Sequence, residues 1–299
     1  MTGDYAIFES MKPIPLDQLQ AKTSLGFQVK SFSPDESFDK KAKDLGAHRD
    51  DHYLFFLLKR GNGSLTIDWQ QVTMGAGQLF YILPAQVHHH IRTRAAEGWF
   101  LAVDTSMVPP ECRDVFEGKL DLQLPCTLNP TLLRQFTSLL TVLQQWYVEK
   151  KNNNARLRIP AMHALLQSFV MMAAGSYDDV PATNQLLSRP AELCRQFKRL
   201  MAENIRTIKS PATYSNRLNV SLSHLNQSVK SMTGLPVRYW IQQEILVEAK
   251  RLLYHTQFNV QQIAYELGYE DAAYFSRFFR RSAGMSALAF RATLSRTRQ

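Results

Sequence analysis

The stretch IAYELGYEDAAYFSRFFRR, Ile263 to Arg281, decides how this chain is read. Side chains at i, i+3, i+4 and i+7 share a helix face. Ala273, Ser276, Arg277 and Arg280 have that spacing, so a small, a hydroxyl and two guanidinium side chains line one face. Phe275 and Phe279 lie one turn apart on another stripe, where a core contact is expected. Upstream, IAYELGY predicts a shorter helix ending at Leu267, with Gly268 as its stop. Two short helices meeting at a glycine turn fit a helix-turn-helix; an amphipathic hairpin with a solvated polar face fits this stretch alone equally well.

Charge and composition narrow the choice. Residues 189–299 hold 17 Lys+Arg and 7 Asp+Glu, a net of +10 in a chain of net +9, so the preceding 188 residues are near neutral. A basic module joined to a neutral one suits a polyanionic partner. A membrane-surface helix would pair its basic face with an exposed apolar one, whereas the apolar residues here are needed for a core. The three cysteines, Cys112, Cys126 and Cys194, include no CxxC pair, which argues against a disulfide framework or a structural zinc site and fits a reducing cytoplasm. The longest apolar run near the start, YLFFLL (Tyr53 to Leu58), is too short to span a bilayer, and no signal-peptide pattern is read.

The opening motif occurs twice. Leu225 and Val229 match Phe275 and Phe279 at an offset of 50, Ser223, Asn226, Gln227 and Lys230 match Ala273, Ser276, Arg277 and Arg280, and Gly234 matches Gly284. Upstream the offset becomes 49, with Leu218 on Leu267 and Val220 on Tyr269, so the second turn carries one extra residue. A long helix from Val237 to His255 lies between the units; its 19 residues span about 28 Å. Recognition helices must sit roughly 34 Å apart to enter successive major grooves on one duplex face, so that helix is a suitable spacer.

These residues carry a resemblance. The chain beyond residue 190 resembles the DNA-binding domain of the AraC/XylS family of bacterial transcription regulators, most closely in IAYELGYEDAAYFSRFFRRSAGMSALAFR. Ala287 stands where the family usually has proline, and HLNQSVK replaces its commoner Leu-Ser-Arg-x-Phe-Lys. The resemblance implies base-reading roles for Ser223, Asn226 and Gln227 and for Ala272, Ala273, Ser276 and Arg277. The chemistry agrees: arginine grips guanine O6/N7, glutamine or asparagine grips adenine, and alanine meets a thymine methyl. Lys230, Arg280 and Arg281 are expected on phosphate.

Residues from about 25 to 105 predict β-structure. HYLFFLLKR, then GNG at Gly61–Gly63, then SLTIDW predict a strand, a tight turn and a strand. GAGQLFYILPAQVHHH predicts a turn, a strand and a Pro-bounded loop, and GWFLAVDT a further strand. This pattern resembles the family's small cupin-like effector barrel. Tyr53, Phe55, Trp69, Phe80, Tyr81 and Trp99 are candidates for a pocket floor or for core; His88 and His90 are expected to share a strand face that His89 does not. The resulting effector-pocket set is Tyr53, Phe55, Phe80, His88, His90 and Trp99, with a sugar or an aromatic acid as ligand. No Glu lies between His52 and Gly61 to complete a cupin-enzyme motif, so no metal and no cofactor are expected. The stripe Leu132, Leu133, Phe136, Leu139, Leu140, Leu143 and Trp146 predicts a helix, read as a dimer seam in preference to packing on the barrel.

The expected architecture is multidomain: a cupin-like β-domain over 1–108, a helical dimerisation region over 109–175, a linker over 176–189 and an all-α domain with two helix-turn-helix units over 190–299. The expected function is a cytoplasmic, homodimeric, effector-responsive activator of promoter DNA that works with RNA polymerase, without catalysis or a membrane. A cupin-type metalloenzyme, a ligand-independent architectural DNA binder and a DNA-repair regulator with a reactive cysteine are the alternatives.

Overall fold

The computed structural model describes residues 14–34, 46–67, 70–117, 124–149, 155–178 and 188–296. Trp69 and most of the expected linker lie outside them. The N-terminal part is built on β1 (Leu16–Asp17), β2 (Phe27–Phe32), β3 (Arg49–Asp50), β4 (His52–Ile67), β5 (Gln70–Met74), β6 (Gln78–Ile82), β7 (His88–Asp104) and β8 (Cys126–Thr127). β1 and β3 pair in parallel; the other six form one antiparallel sheet in the order β2-β7-β4-β6-β8, with β5 on β4.

The expected turn at Gly61–Gly63 is not a hairpin. β4 runs through it, and residues on both sides pair with β7, with register shifts between Leu58 and Asn62. Gly61 (φ +73°) faces Ala95 so closely that a Cβ would lie 2.2 Å from the Ala95 carbonyl oxygen. The glycine is there for a bulge that bends the strand. β7 likewise begins at His88, inside the segment expected to be a loop.

Alternation along the strands gives the sheet two apolar faces. Tyr53, Phe55, Leu57, Tyr81, Leu101 and Val103 pack against α1 (Pro110–Glu117), α2 (Pro130–Val148) and α3 (Ala155–Asp178). Leu54, Phe56, Leu58, Phe80 and Ile82 face the other way, onto Leu65, Ile67, Val72 and Met74 of the bent-over half. The α2 stripe belongs to the first core: Phe136, Leu140 and Leu143 are fully buried, with Leu132, Leu133 and Leu139 beside them. For these six residues the reading as a dimer seam is therefore corrected to packing on the β-domain, because the sheet's helix-facing side needs that cover; Trp146, the last of the stripe, is exposed. Leu157–Asp178 of α3 is long and apolar enough to cross a bilayer by composition, but Leu166, Phe169, Val170 and Ala173 are buried in the same core.

The C-terminal part is all-α: α4 (Arg189–Asn204), α5 (Pro211–Arg217), α6 (Leu222–Thr233), α7 (Val237–His255), α8 (Val260–Glu266), α9 (Ala272–Ala283) and α10 (Ala287–Arg296). α7 is the predicted spacer. It is apolar around much of its circumference, with Ile241, Ile245, Leu246, Val247, Ala249 and Leu253 buried, because helices pack on it from several sides.

Candidate nucleic-acid interface

The two helix-turn-helix units are α5–α6 and α8–α9. Leu225 and Val229, and their counterparts Phe275 and Phe279, are each fully buried in one shared core. Both turns need one residue at positive φ after the first helix: Asn219 (φ +54°) in the first unit and Gly268 (φ +68°) in the second. Asparagine is among the few side chains that tolerate this region. The recognition helices α6 and α9 are capped by Ser221, which accepts from His224 N at 3.1 Å, and by Asp271, which accepts from Ala273 N at 2.7 Å. Each ends on a left-handed glycine, Gly234 (φ +70°) or Gly284 (φ +72°).

Burial of one stripe exposes the other. Ser223, Gln227 and Lys230 on α6, and Ala273, Ser276, Arg277, Arg280 and Arg281 on α9, are exposed. Ser276 Oγ donates to Ala272 O at 2.8 Å, which leaves its lone pairs outward. Arg277 is 70% exposed, with Asp271 at 3.7 Å and the Tyr274 ring at 6.0 Å. Two expected base-readers are committed elsewhere. Asn226 is half-buried, and its Oδ1 accepts from Val237 N at 3.1 Å, capping α7. Ala272 is half-buried against the C-terminal core. Tyr274, 55% exposed between Ala273 and Phe275, was not among the sequence candidates; the exposed face is simply wider than one i, i+3, i+4 stripe.

The expected effector pocket does not assemble. Tyr53, Phe55 and Trp99 face the helices, while Phe80 faces the opposite core. His88 is buried and His90 is exposed. The alternation that would have put them on one face is broken at His90 itself, whose φ is +54°. His90 instead pairs with His89, with Nδ1 atoms 2.9 Å apart. Trp99 lines a cleft of about 500 Å³ with Ser31, Thr141, Gln144, Gln145 and Val148, between the sheet and α2. Its buried indole N–H has no hydrogen-bond partner among the described residues.

A buried charge network joins the two parts. Arg113 of α1 donates to both oxygens of Glu244 on α7, at 2.8 and 2.6 Å, and to Glu117 at 3.2 Å. Glu117 also accepts from Tyr53 Oη at 2.7 Å and from Lys198 of α4 at 3.1 Å. Burial alone would raise the Glu117 carboxyl, but the Lys198 ammonium, the Arg113 guanidinium and these hydrogen bonds outweigh it and hold the group down to about 2. Further along α7, Lys250 pairs with Asp104 at 2.8 Å, Arg251 donates to the carbonyls of Ser106 and Val108, and Tyr254 meets His163 of α3. The contacts between the two parts join residues up to 146 apart, so local spacing could not reveal them. Each of those reaches α4 or α7, the frame behind the recognition helices.

A neutral β-domain gripping a basic domain with two polar-faced recognition helices defines a two-domain, DNA-binding regulator. Known proteins agree. Residues 39–169 match the model of the AraC-like ligand binding domain and residues 214–293 that of a helix-turn-helix domain. The chain belongs to the AraC/XylS family of transcription regulators, and it is a sequence-specific DNA-binding regulator, not an enzyme. It is 22% identical over 250 residues to the HTH-type transcriptional activator RhaS of Enterobacter sp. (strain 638), covering 80% of this chain and 84% of that protein. With RhaR of the same organism it shares 36% identity over 67 residues, 22% of this chain and 24% of that one. ToxT from Vibrio cholerae O395 aligns over 90% of this chain and 98% of its own, at 13% identity and a TM-score of 0.38.

Proposed function

We propose that this regulator is an effector-responsive activator that inserts α6 and α9 into adjacent major grooves of promoter DNA. The observation that carries the reading is the pair of exposed polar faces, each set opposite a buried apolar stripe, with a side-chain cap at its start and a left-handed glycine at its end. Arg277 reads guanine and Gln227 reads adenine; Ala273, Ser223 and Ser276 line the groove. Lys230, Arg280 and Arg281 hold phosphates. Asn226 and Ala272 position the helices. The effector occupies the β-domain, with the Trp99 cleft as its site: an indole ring beside the hydroxyl and amide groups of Ser31, Thr141, Gln144 and Gln145 and the Glu149 carboxylate suits a small polar ring such as a sugar. Its binding shifts the grip on α4 and α7 and so the presentation of the recognition helices.

In this reading the β-domain covers 1–108, the helical region 109–175, the linker 176–189 and the DNA-binding domain 190–299. The protein works in the cytoplasm, contacts RNA polymerase and acts as a homodimer. The dimer uses the outer face of α2, where Val142 (40%) and Trp146 (38%) are exposed one turn apart.

The test is binding to DNA from upstream of the protein's own gene against scrambled DNA, at two salt concentrations. Selective protection of two adjacent major grooves is expected. Arg277→Ala should cost about 1–3 kcal/mol and relax preference at one base pair. Lys230→Ala should weaken all sequences alike and lower the salt slope by about 1. Equal losses on every sequence for Arg277→Ala would move that residue to the phosphate set.

A further inference from the structure

We propose that His48, Asp50 and His88 form a site for one divalent transition-metal ion of the zinc class, held at the edge of the β-domain beside the first helix-turn-helix. All three residues are buried, and one donor atom from each lies within 4.8 Å of the others. His88 Nε2 stands 3.2 Å from Asp50 Oδ2. That is close to the edge of a tetrahedron with metal–ligand bonds of about 2.0 Å.

The hydrogen bonds fix which atoms face the site. His48 Nδ1 lies 3.0 Å from Gly46 O, and His88 Nδ1 lies 3.3 Å from Gln86 O. A carbonyl can only accept, so both Nδ1 atoms carry a proton, and in the neutral imidazole both Nε2 atoms keep a lone pair for a metal. Asp50 is 2% exposed, and its Oδ2 has no hydrogen-bond partner among the described residues. Three acceptors therefore converge in a buried space. A single proton answers one pair of them; a dication answers all three.

His52 stands beside this three-residue cluster. Its Nδ1 is 2.9 Å from Asp51 Oδ1, and its Nε2 is 3.8 Å from Asp50 Oδ1. Asp51 in turn accepts from Leu19 N at 3.0 Å, which fixes the His52 ring. Backbone carbonyls and a carboxylate behind each imidazole are the usual support of metal-bound histidine. Imidazole nitrogens with one carboxylate, and no thiolate, select zinc-class ions over magnesium or calcium.

The site links segments far apart in sequence. His48 and His88 already meet in an antiparallel bridge, and Asp50 O accepts from Ala85 N at 2.8 Å. Ala85 packs in the C-terminal core, and Arg49, between two of the ligands, lies over Gly234 at the end of α6. A bound ion would therefore fix the part of the β-domain that touches the first recognition helix.

The experiment uses the full chain, stripped by chelator and titrated with ZnCl2 by calorimetry, with bound metal counted by mass spectrometry and thermal stability followed alongside. One zinc per chain and a rise in Tm are expected. Asp50→Asn should weaken binding by more than the ~10–100-fold typical of losing a hydrogen-bond partner behind a ligand. The exposed pair is the control: His89→Ala/His90→Ala should bind zinc as the wild type does. If Asp50→Asn does not fold, His88→Gln serves in its place. Co2+ added to the wild type reads the site without any variant, since low-coordinate nitrogen and oxygen ligation gives visible absorption. No stoichiometric uptake by the wild type overturns the proposal. So does uptake unchanged in Asp50→Asn and His88→Gln, or uptake lost with His89 and His90.

Discussion

The two helix-turn-helix units share a backbone plan but not a filling. The first buries Leu225 and Val229 where the second buries Phe275 and Phe279, and the second adds Phe278 where the first has Ser228. The second therefore has the larger aromatic core of its own, with Phe275 and Phe279 rings at 6.1 Å and Phe279 and Phe290 rings at 6.0 Å. The first leans on its surroundings. Asn226 ties α6 to α7, and Arg49 of the β-domain sits against Gly234. At the matching position, a Cβ on Gly284 would meet nothing within 4 Å. The comparison separates the ends of the two recognition helices: Gly234 faces an arginine of the β-domain and Gly284 faces open space, although the second unit also borders the β-domain through Met285 and Phe290.

The largest expected effect tests the cores. Phe279→Ala should cost about 3–5 kcal/mol, and Val229→Ala about 2 kcal/mol, since a ring leaves a bigger cavity than two methyl groups. Chemical denaturation of the full chain reads both. A Val229→Ala loss as large as that of Phe279→Ala would show that the first unit's core is as demanding as the second's.

The next effect tests the grip on the frame. Glu117 is held down to about 2 against an ordinary 4.5, so the stability it contributes is complete above pH 4.5 and is lost as pH falls towards 2. The window is worth about 3 kcal/mol. Because Glu117 binds Lys198 on α4, and α4 packs on α6, acid should loosen the first unit before the second. Denaturant midpoints between pH 5 and 2 should fall steeply in the wild type and less in Glu117→Gln. An unchanged slope in the variant would remove Glu117 as the acid-sensitive link.

How much of this could be read in advance follows the distance between partners. The recognition helices, their caps and the buried pairs obey i, i+3, i+4 spacing, and the offset change from 50 to 49 located the extra turn residue. The same rule applied to strands failed at His90, because a single positive φ resets the alternation. The GNG segment carries a strong turn signal, yet β7 pairs with β4 on both sides of it. The α2 stripe showed that a face is buried but not against what. The pairs Arg113–Glu244 and Asp104–Lys250 depend on how two parts of the chain meet, which composition does not encode.

The smallest effect is the sharpest probe of the comparison. Gly234 and Gly284 have nearly the same φ, so alanine at either position pays the same left-handed strain, about 1–2 kcal/mol. They differ in what a methyl group meets. At Gly234 it would come within 2.9 Å of Arg49 Nη2, a flexible guanidinium that can swing aside. Gly234→Ala should thus cost a few tenths of a kcal/mol more than Gly284→Ala, and the excess should vanish in an Arg49→Ala background. A double-mutant cycle isolates that term, because Gly284 shares no partner with Arg49 and should add independently. Coupling at Gly234 alone would place the β-domain's hand on the first recognition helix; equal coupling at both, or at neither, would dissolve the distinction between the two units.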